Sequence, residues 1–395
     1  MSSVVVDRRL RRARGAVFAA FSLNGVLLAM WVVHIPAITG RTGVSTSALS
    51  LLVLLMAGAA LVGMRLAGPA ADRFGSRTLV MLAAAAISVT VLGPGLATDP
   101  ITLAIALACF GIGNGALDVS MNAQAVQVER AYRRPIMAAF HAMFSAGGFA
   151  GSLLGAAAQH AGWSPQVTLT CASVCGLLVT AVLVPHLVDH QRAESPSHAE
   201  HYDKADAAVS TRLGAERTRK VFLLGSIAFV LLLAEGVAAD WSALQVRERL
   251  GTSEAAAALA FGAFSATMTL GRFLADRVSG AFGPVAVVRY GSLLAAAGFA
   301  LVIGSPWLPL TLLGWALCGL GLAGGVPQIF STAGNLGGTT AATDMSRVFT
   351  IGYLGLLAGP AMIGWLAAVV PLTAALLIPL VLTLGCAVAA PVVRR

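Results

Sequence analysis

Residues 46–77 read TSALSLLVLLMAGAALVGMRLAGPAADRFGSR. From Thr46 to Ala70 the only charge is Arg65. At ~1.5 Å per residue such a run crosses a hydrocarbon core of roughly 30 Å. The charges at Asp72, Arg73 and Arg77 then stop it at a membrane surface. Working outward, eleven further apolar runs fill the chain, near 16–38, 79–98, 101–123, 137–158, 165–187, 221–243, 254–275, 285–303, 307–330, 346–368 and 371–391. Of the 395 residues 57% are hydrophobic and 11% charged, with a mean hydropathy of +0.84, whereas a soluble domain has about a quarter charged residues. A water-soluble single core is thereby excluded, and the fold class predicted is an all-α membrane protein with twelve transmembrane helices.

Charge sets the orientation, because Lys and Arg near span ends stay on the cytoplasmic side. With both termini cytoplasmic, 22 of the 26 basic residues fall inside, including the Arg8 to Arg14 run, Arg130 to Arg134 and the 188–220 stretch. Only Arg41, Arg247 and Arg249 fall outside. The net charge of +9 fits this topology and contact with anionic membrane lipid, and no aromatic-interleaved basic patch points to nucleic acid. The Arg-rich start resembles a signal peptide, but a long apolar run followed by eleven more reads as an uncleaved first span. Cys109, Cys171, Cys175, Cys318 and Cys386 all lie in predicted spans without metal-type pairing, and are expected to be small packing residues.

The only long polar stretch, 188–220, divides the chain into six-span halves, 1–187 and 221–395, and is predicted to be a cytoplasmic linker. Ordered matches recur across it. Asn24-Gly25 with Trp31 recurs as Glu235-Gly236 with Trp241, Gly43-Val-Ser as Gly251-Thr-Ser, Ala71-Asp72-Arg73 as Ala275-Asp276-Arg277, and Gly111-Ile-Gly113 as Gly319-Leu-Gly321. Parallel repeats of this kind place a transport site near the midplane between halves.

Gly68-Pro-Ala-Ala-Asp72-Arg73-Phe74-Gly75-Ser76-Arg77 resembles the signature loop of the major facilitator superfamily. It departs at Ser76, where that pattern has a basic residue; the second-half copy at Asp276-Arg277 lacks the glycine that follows. The resemblance implies the major facilitator fold of two six-helix bundles. It also implies a cytoplasmic gate from Gly68, Asp72, Arg73, Gly75, Arg77, Asp276 and Arg277, with Asp72 docking near Asp344 to Arg347. The strings Trp31-Val-Val-His34-Ile-Pro36, Asp118-Val-Ser-Met-Asn122, Phe140-His141 and Asp240-Trp241-Ser242 are similar to the YbjJ-type branch, related to fucose-permease-like sugar transporters.

Carboxylates at membrane depth are costly and face a partner or a water-filled path. Glu235 lies roughly 21 Å into its span by the helical rise, as a proton-coupling carboxylate or as a permanently protonated structural group. Asp240, five residues on, is turned about 140° away and nearer the outer surface. Asn114, Asp118 and Asn122 at i, i+4 and i+8 share one helical face, as a cavity wall or, for Asp118, an inner-gate partner of Arg65 or Arg130. His141 either titrates with Asp118 or packs. Superfamily resemblance draws Asn24, Asn114, Asp118 and Glu235 towards one central volume. Trp31 and His34 line its outer mouth or, for Trp31, join the aromatic belt expected of Trp163, Trp307 and Trp365.

Gly111-Ile-Gly-Asn-Gly115 follows no strand and is no nucleotide loop, and no Walker, metal-ligand or nucleophile-base pattern appears. No cofactor, metal or enzymatic activity is expected. The reading is a multi-pass secondary transporter of a bacterial cytoplasmic (inner) membrane, expected as a monomer. It works by alternating access and couples protons to uptake of a small polar or sugar-like solute. Export of a drug or metabolite is the alternative, against which the fifth span lacks the Gly-Pro pair of drug antiporters. A non-transporting receptor or scaffold is the third.

Overall fold

The computed structural model describes residues 8–188, 204–337 and 340–394. Nearly all of these are helical, the form that lets a spanning segment satisfy its own backbone hydrogen bonds without water. A first compact unit holds α1 (Arg8–Thr42), α2 (Thr46–Phe74), α3 (Ser76–Thr90), α4 (Leu92–Leu96), α5 (Pro100–Tyr132), α6 (Met137–His160) and α7 (Pro165–Leu183). A second holds α8 (Lys204–Leu250), α10 (Leu308–Leu322), α11 (Gly325–Gly334), α12 (Ala341–Leu366), α13 (Leu372–Ala375) and α14 (Leu377–Ala389). The long α9 (Glu254–Gly304) is divided: residues 269–281 belong with the first unit, the remainder with the second.

Among the described residues, eleven helical stretches are long and apolar enough to cross a membrane. The difference from twelve lies in α9, whose 51 residues contain two of the predicted runs. Within it Gly283 leaves helical geometry at φ 82°, ψ 165°, a conformation glycine adopts without a Cβ penalty. Gly75, between α2 and α3, has nearly the same backbone, φ 86°, ψ 142°. The glycine expected close behind Arg277 is therefore not lost but displaced, to the position 208 residues after Gly75. The predicted linker is helical over its described C-terminal part. Residues 189–203 lie outside the described residues, but from Lys204 the chain is already helical and runs unbroken into the seventh predicted span. Its Ala, Glu, Lys and Arg content favours that extension.

The 208-residue repeat extends to individual contacts. Gly43 and Gly251 take positive φ (68° and 62°), and the hydroxyls of Ser45 and Ser253 then cap α2 and α9, each accepting an N–H three residues on at 3.3 Å. In the first unit a Cβ on Gly147 would strike the Ser22 carbonyl, and one on Gly151 would lie 2.8 Å from that of Val26. In the second a Cβ on Gly355 would strike the Phe229 carbonyl, and one on Gly359 would lie 2.7 Å from that of Leu233. Thus α6 meets α1, and α12 meets α8, through the same pair of glycines, which let backbones approach where no hydrophobic force drives helices together in lipid.

This register corrects one match made from sequence. Gly25 meets Phe144 and Gly148, whereas Gly236 meets Leu356 and Pro360, one helical turn further in the repeat. Glu235 therefore stands one turn beyond the true counterpart of Asn24; the two dipeptides aligned because both precede a glycine at a close helix contact. The cysteine reading is also corrected: Cys318 and Cys386 are buried, but Cys109, Cys171 and Cys175 are exposed. Their helix faces point away from neighbouring helices, where a small, weakly polar side chain suits hydrocarbon equally well. Trp163, Trp307 and Trp365 are exposed as a belt requires.

Candidate functional site

In the first unit the site is built on α5. Pro100 and the reciprocal Asp99–Thr102 capping box start this helix, and its polar stripe follows at four-residue spacing. Asp118 and Asn122 are buried and Asn114 is half-buried. Asn122 donates its amide to the Asp118 carbonyl at 2.9 Å and to the Asp118 carboxylate at 3.2 Å. The amide oxygens of Asn114 and Asn122, and that of buried Asn24 on α1, are enclosed and have no hydrogen-bond partner among the described residues. The four-residue spacing thus puts these polar groups on one face of α5, with amide oxygens left over.

Trp31 and His34 are buried, at 1% and 0% exposure. His34 Nδ1 lies 2.8 Å from the Met30 carbonyl, and Nε2 has no partner among the described residues. Beyond them Arg41 gives two N–H groups, each at 3.0 Å, to the Pro94 and Ala97 carbonyls at the end of α4, satisfying acceptors that a helix terminus leaves open.

The opposite end of this unit gathers the residues assigned to the gate. Asp276 accepts the Ala138 and Ala139 N–H groups at 2.9 and 2.7 Å, at the start of α6, where the helix presents free donors and partial positive charge. One turn back along α9, Arg272 donates to the Ser145 hydroxyl at 2.8 Å. His141 lies between these contacts, with its ring 5.3 Å from that of Phe21. Arg277 is exposed, Asp72 and Arg77 are half-buried, and Gly68 and Gly75 are buried. Arg73 is exposed, with its guanidinium 5.2 Å from the Phe74 ring. Buried Glu129 accepts the Ile136 N–H at 3.2 Å and shapes the α5–α6 turn.

Ser76, the departure from the signature loop, is explained by its neighbours. Its buried hydroxyl accepts from both Gln124 and Gln127 at 2.9 Å, and Gln124 in turn pairs with both backbone groups of Val188. A basic side chain there removes an acceptor from one buried and one half-buried amide and brings in a third donor. We expect Ser76→Arg to cost about 2–4 kcal/mol and Ser76→Thr little, measured by thermal unfolding in detergent. Unchanged melting of Ser76→Arg would show that this hydroxyl network contributes nothing.

In the second unit Glu235 is half-buried within α8 and Asp240 is exposed. Between them and the helix end, Trp241 donates to the Pro360 carbonyl at 3.1 Å, and buried Gln245 links Trp315 to Thr373. Asp344, expected near the dock of Asp72, has its carboxylate held within its own unit. Arg217 takes one oxygen, Arg347 the other at 3.2 Å, and Arg217 also reaches the Gly337 carbonyl at 2.6 Å. Sequence reading passed over Arg217, which sits in the linker by composition. It also passed over Arg272, whose place inside an apolar run, four residues before Asp276, was the available signal.

The Major Facilitator Superfamily family model matches residues 15–245. An uncharacterized MFS-type transporter of Yersinia pestis is 32% identical over 376 residues, covering 95% of this chain and 94% of its own. Among solved structures, the MFS transporter FucP in its outward conformation superposes with a TM-score of 0.79 at 15% identity, covering 98% of this chain and all of that one. The human organic anion transporter MFSD10 superposes at 0.76 with 18% identity, covering 96% of this chain and 99% of that one.

Proposed function

Because the chain belongs to the major facilitator superfamily of membrane transporters, we propose that it is a proton-coupled secondary transporter taking up a small, neutral, hydroxyl-rich solute by alternating access. In this reading α9 supplies two of twelve spans, parted at Gly283. Both termini and the 188–220 stretch face the cytoplasm of a bacterial inner membrane, as the placement of basic residues supports.

The observation that carries the cargo class is the set of enclosed amide oxygens of Asn24, Asn114 and Asn122. An enclosed acceptor without a donor costs about 1–3 kcal/mol; hydroxyl groups of a sugar or polyol would offset that cost on binding. The fold likeness to FucP and to an organic anion transporter is shared by both cargo types and chooses neither. Glu235 carries the coupling proton in this scheme, since an ionised carboxylate inside an apolar helix is disfavoured unless a proton or partner neutralises it. Asp118, fixed by Asn122, and His141 are the secondary candidates.

Reconstitution tests the proposal. In liposomes holding a pH-sensitive dye, sugars or polyols should drive proton movement in the wild type and not in Glu235→Gln. Equal movement in both would remove Glu235 from coupling, and movement driven only by cationic drugs would replace uptake with export.

A further inference from the structure

At the α5–α6 end of the first unit, Tyr132 is 7% exposed and has two arginines against its ring, one from α1 and one from the α5–α6 connection. Arg14 of α1 lies 5.2 Å from the ring centroid, and Arg134, just beyond α5, lies 5.4 Å from it. Arg14 is also 5.8 Å from the Phe18 ring. The two charges are consequently no more than about 11 Å apart. A guanidinium held against a ring keeps its in-plane N–H groups available to a further acceptor. Neither arginine has a hydrogen bond or a carboxylate partner among the described residues, in contrast to Arg41, Arg217, Arg272 and Arg347. Exposed Arg8, Arg9, Arg11, Arg12, Arg130 and Arg133 add positive charge at the same end.

Two like charges are not held on one ring for mutual benefit. An anion with several oxygens would offset their repulsion by meeting both forks, the bidentate geometry in which arginine binds phosphate best. We propose that Arg14, Arg134 and the Tyr132 platform form a binding site for the phosphate of an anionic phospholipid headgroup. Headgroups lie at the level of span ends, where this cluster sits, and a membrane surface attracts it by about 1 kcal/mol per nearby basic residue. The rings of Phe18, Phe140, Phe21 and His141 continue from the cluster in successive contacts of 4.8, 5.7 and 5.3 Å, so a headgroup here rests on the same packing that seats His141.

The test uses the purified full chain in detergent with phosphatidylglycerol, phosphatidylcholine or inorganic phosphate as probes, and reads binding by native mass spectrometry and by the shift in melting temperature. Wild type should retain phosphatidylglycerol selectively. Arg14→Gln/Arg134→Gln should weaken it about tenfold or more, equivalent to at least one charge-assisted hydrogen bond. Arg14→Lys/Arg134→Lys, which keeps both charges but loses the planar forks, should also weaken it, while Arg8→Gln/Arg9→Gln should change it less than about twofold. Melting of each variant without lipid confirms that it is folded. Equal losses from the Arg8/Arg9 pair, or full retention in the lysine pair, would reduce the site to diffuse surface attraction and overturn the proposal. Stabilisation by inorganic phosphate equal to that by phosphatidylglycerol would overturn the lipid assignment.

Discussion

Gly355→Val should leave little correctly folded protein in the membrane, and Gly147→Val should do the same. At both positions an added Cβ would land on a backbone carbonyl of the facing helix, Phe229 for Gly355 and Ser22 for Gly147. A side chain can rotate away from an intruder, but a helix carbonyl is fixed by its own hydrogen bond. The helices must therefore separate along their contact, opening a gap that dispersion forces cannot bridge. Overpacking of this kind costs about 3 kcal/mol when the neighbour cannot yield. At 2–4 °C per kcal/mol for a unit of this size, melting falls by roughly 10 °C. Gly385 provides the control, because nothing lies within 4 Å of a Cβ there; Gly385→Val should melt with the wild type. Wild-type melting of Gly355→Val in detergent-solubilised protein would mean that α8 and α12 do not approach as described.

The paired glycines also show what the sequence could and could not reveal. The all-helical fold of long apolar segments was legible because lipid demands long apolar runs and tolerates few charges, so each polar break stands out. The repeat was legible in its capping strings, Gly43-Val-Ser45 and Gly251-Thr-Ser253, where chain reversal requires a positive φ. Its register inside the spans was not, because glycine and alanine recur at many positions and only the facing helix decides which of them makes contact. That is why Asn24 was paired with Glu235 one turn out of place, and why Gly283 went unrecognised seven residues after Asp276. In the candidate site, periodicity correctly put Asn114, Asp118 and Asn122 on one face. It could not show that Asn122 spends its amide donors on Asp118, nor that Asp344 is already held by Arg217 from a region without apolar pattern. Those pairings depend on contacts distant in sequence, which composition and spacing do not encode.

Asp276→Ala should free the start of α6 from the 269–281 segment. The two N–H groups of Ala138 and Ala139 have no intrahelical acceptor at that position, and the Asp276 carboxylate supplies both, one oxygen each. Hydrogen bonds to a charged acceptor contribute about 1.5–3 kcal/mol apiece, and the positive end of the helix adds to their strength. Loss of both should therefore weaken the dock by about 3 kcal/mol, and hydrogen exchange at the Ala138 and Ala139 amides should quicken roughly a hundredfold. Asp276→Asn keeps an oxygen acceptor without charge, so its exchange should fall between alanine and wild type. Arg272→Gln separates the two anchors of the segment. Its bond to Ser145 lies about two turns further along α6, so the first-turn amides should stay protected in that variant while the segment loosens beyond them. If Asp276→Ala left exchange at Ala138 and Ala139 unchanged, water would be an equal acceptor for these amides. Asp276 could then contribute nothing to a cytoplasmic gate of the kind that the signature-loop resemblance implies.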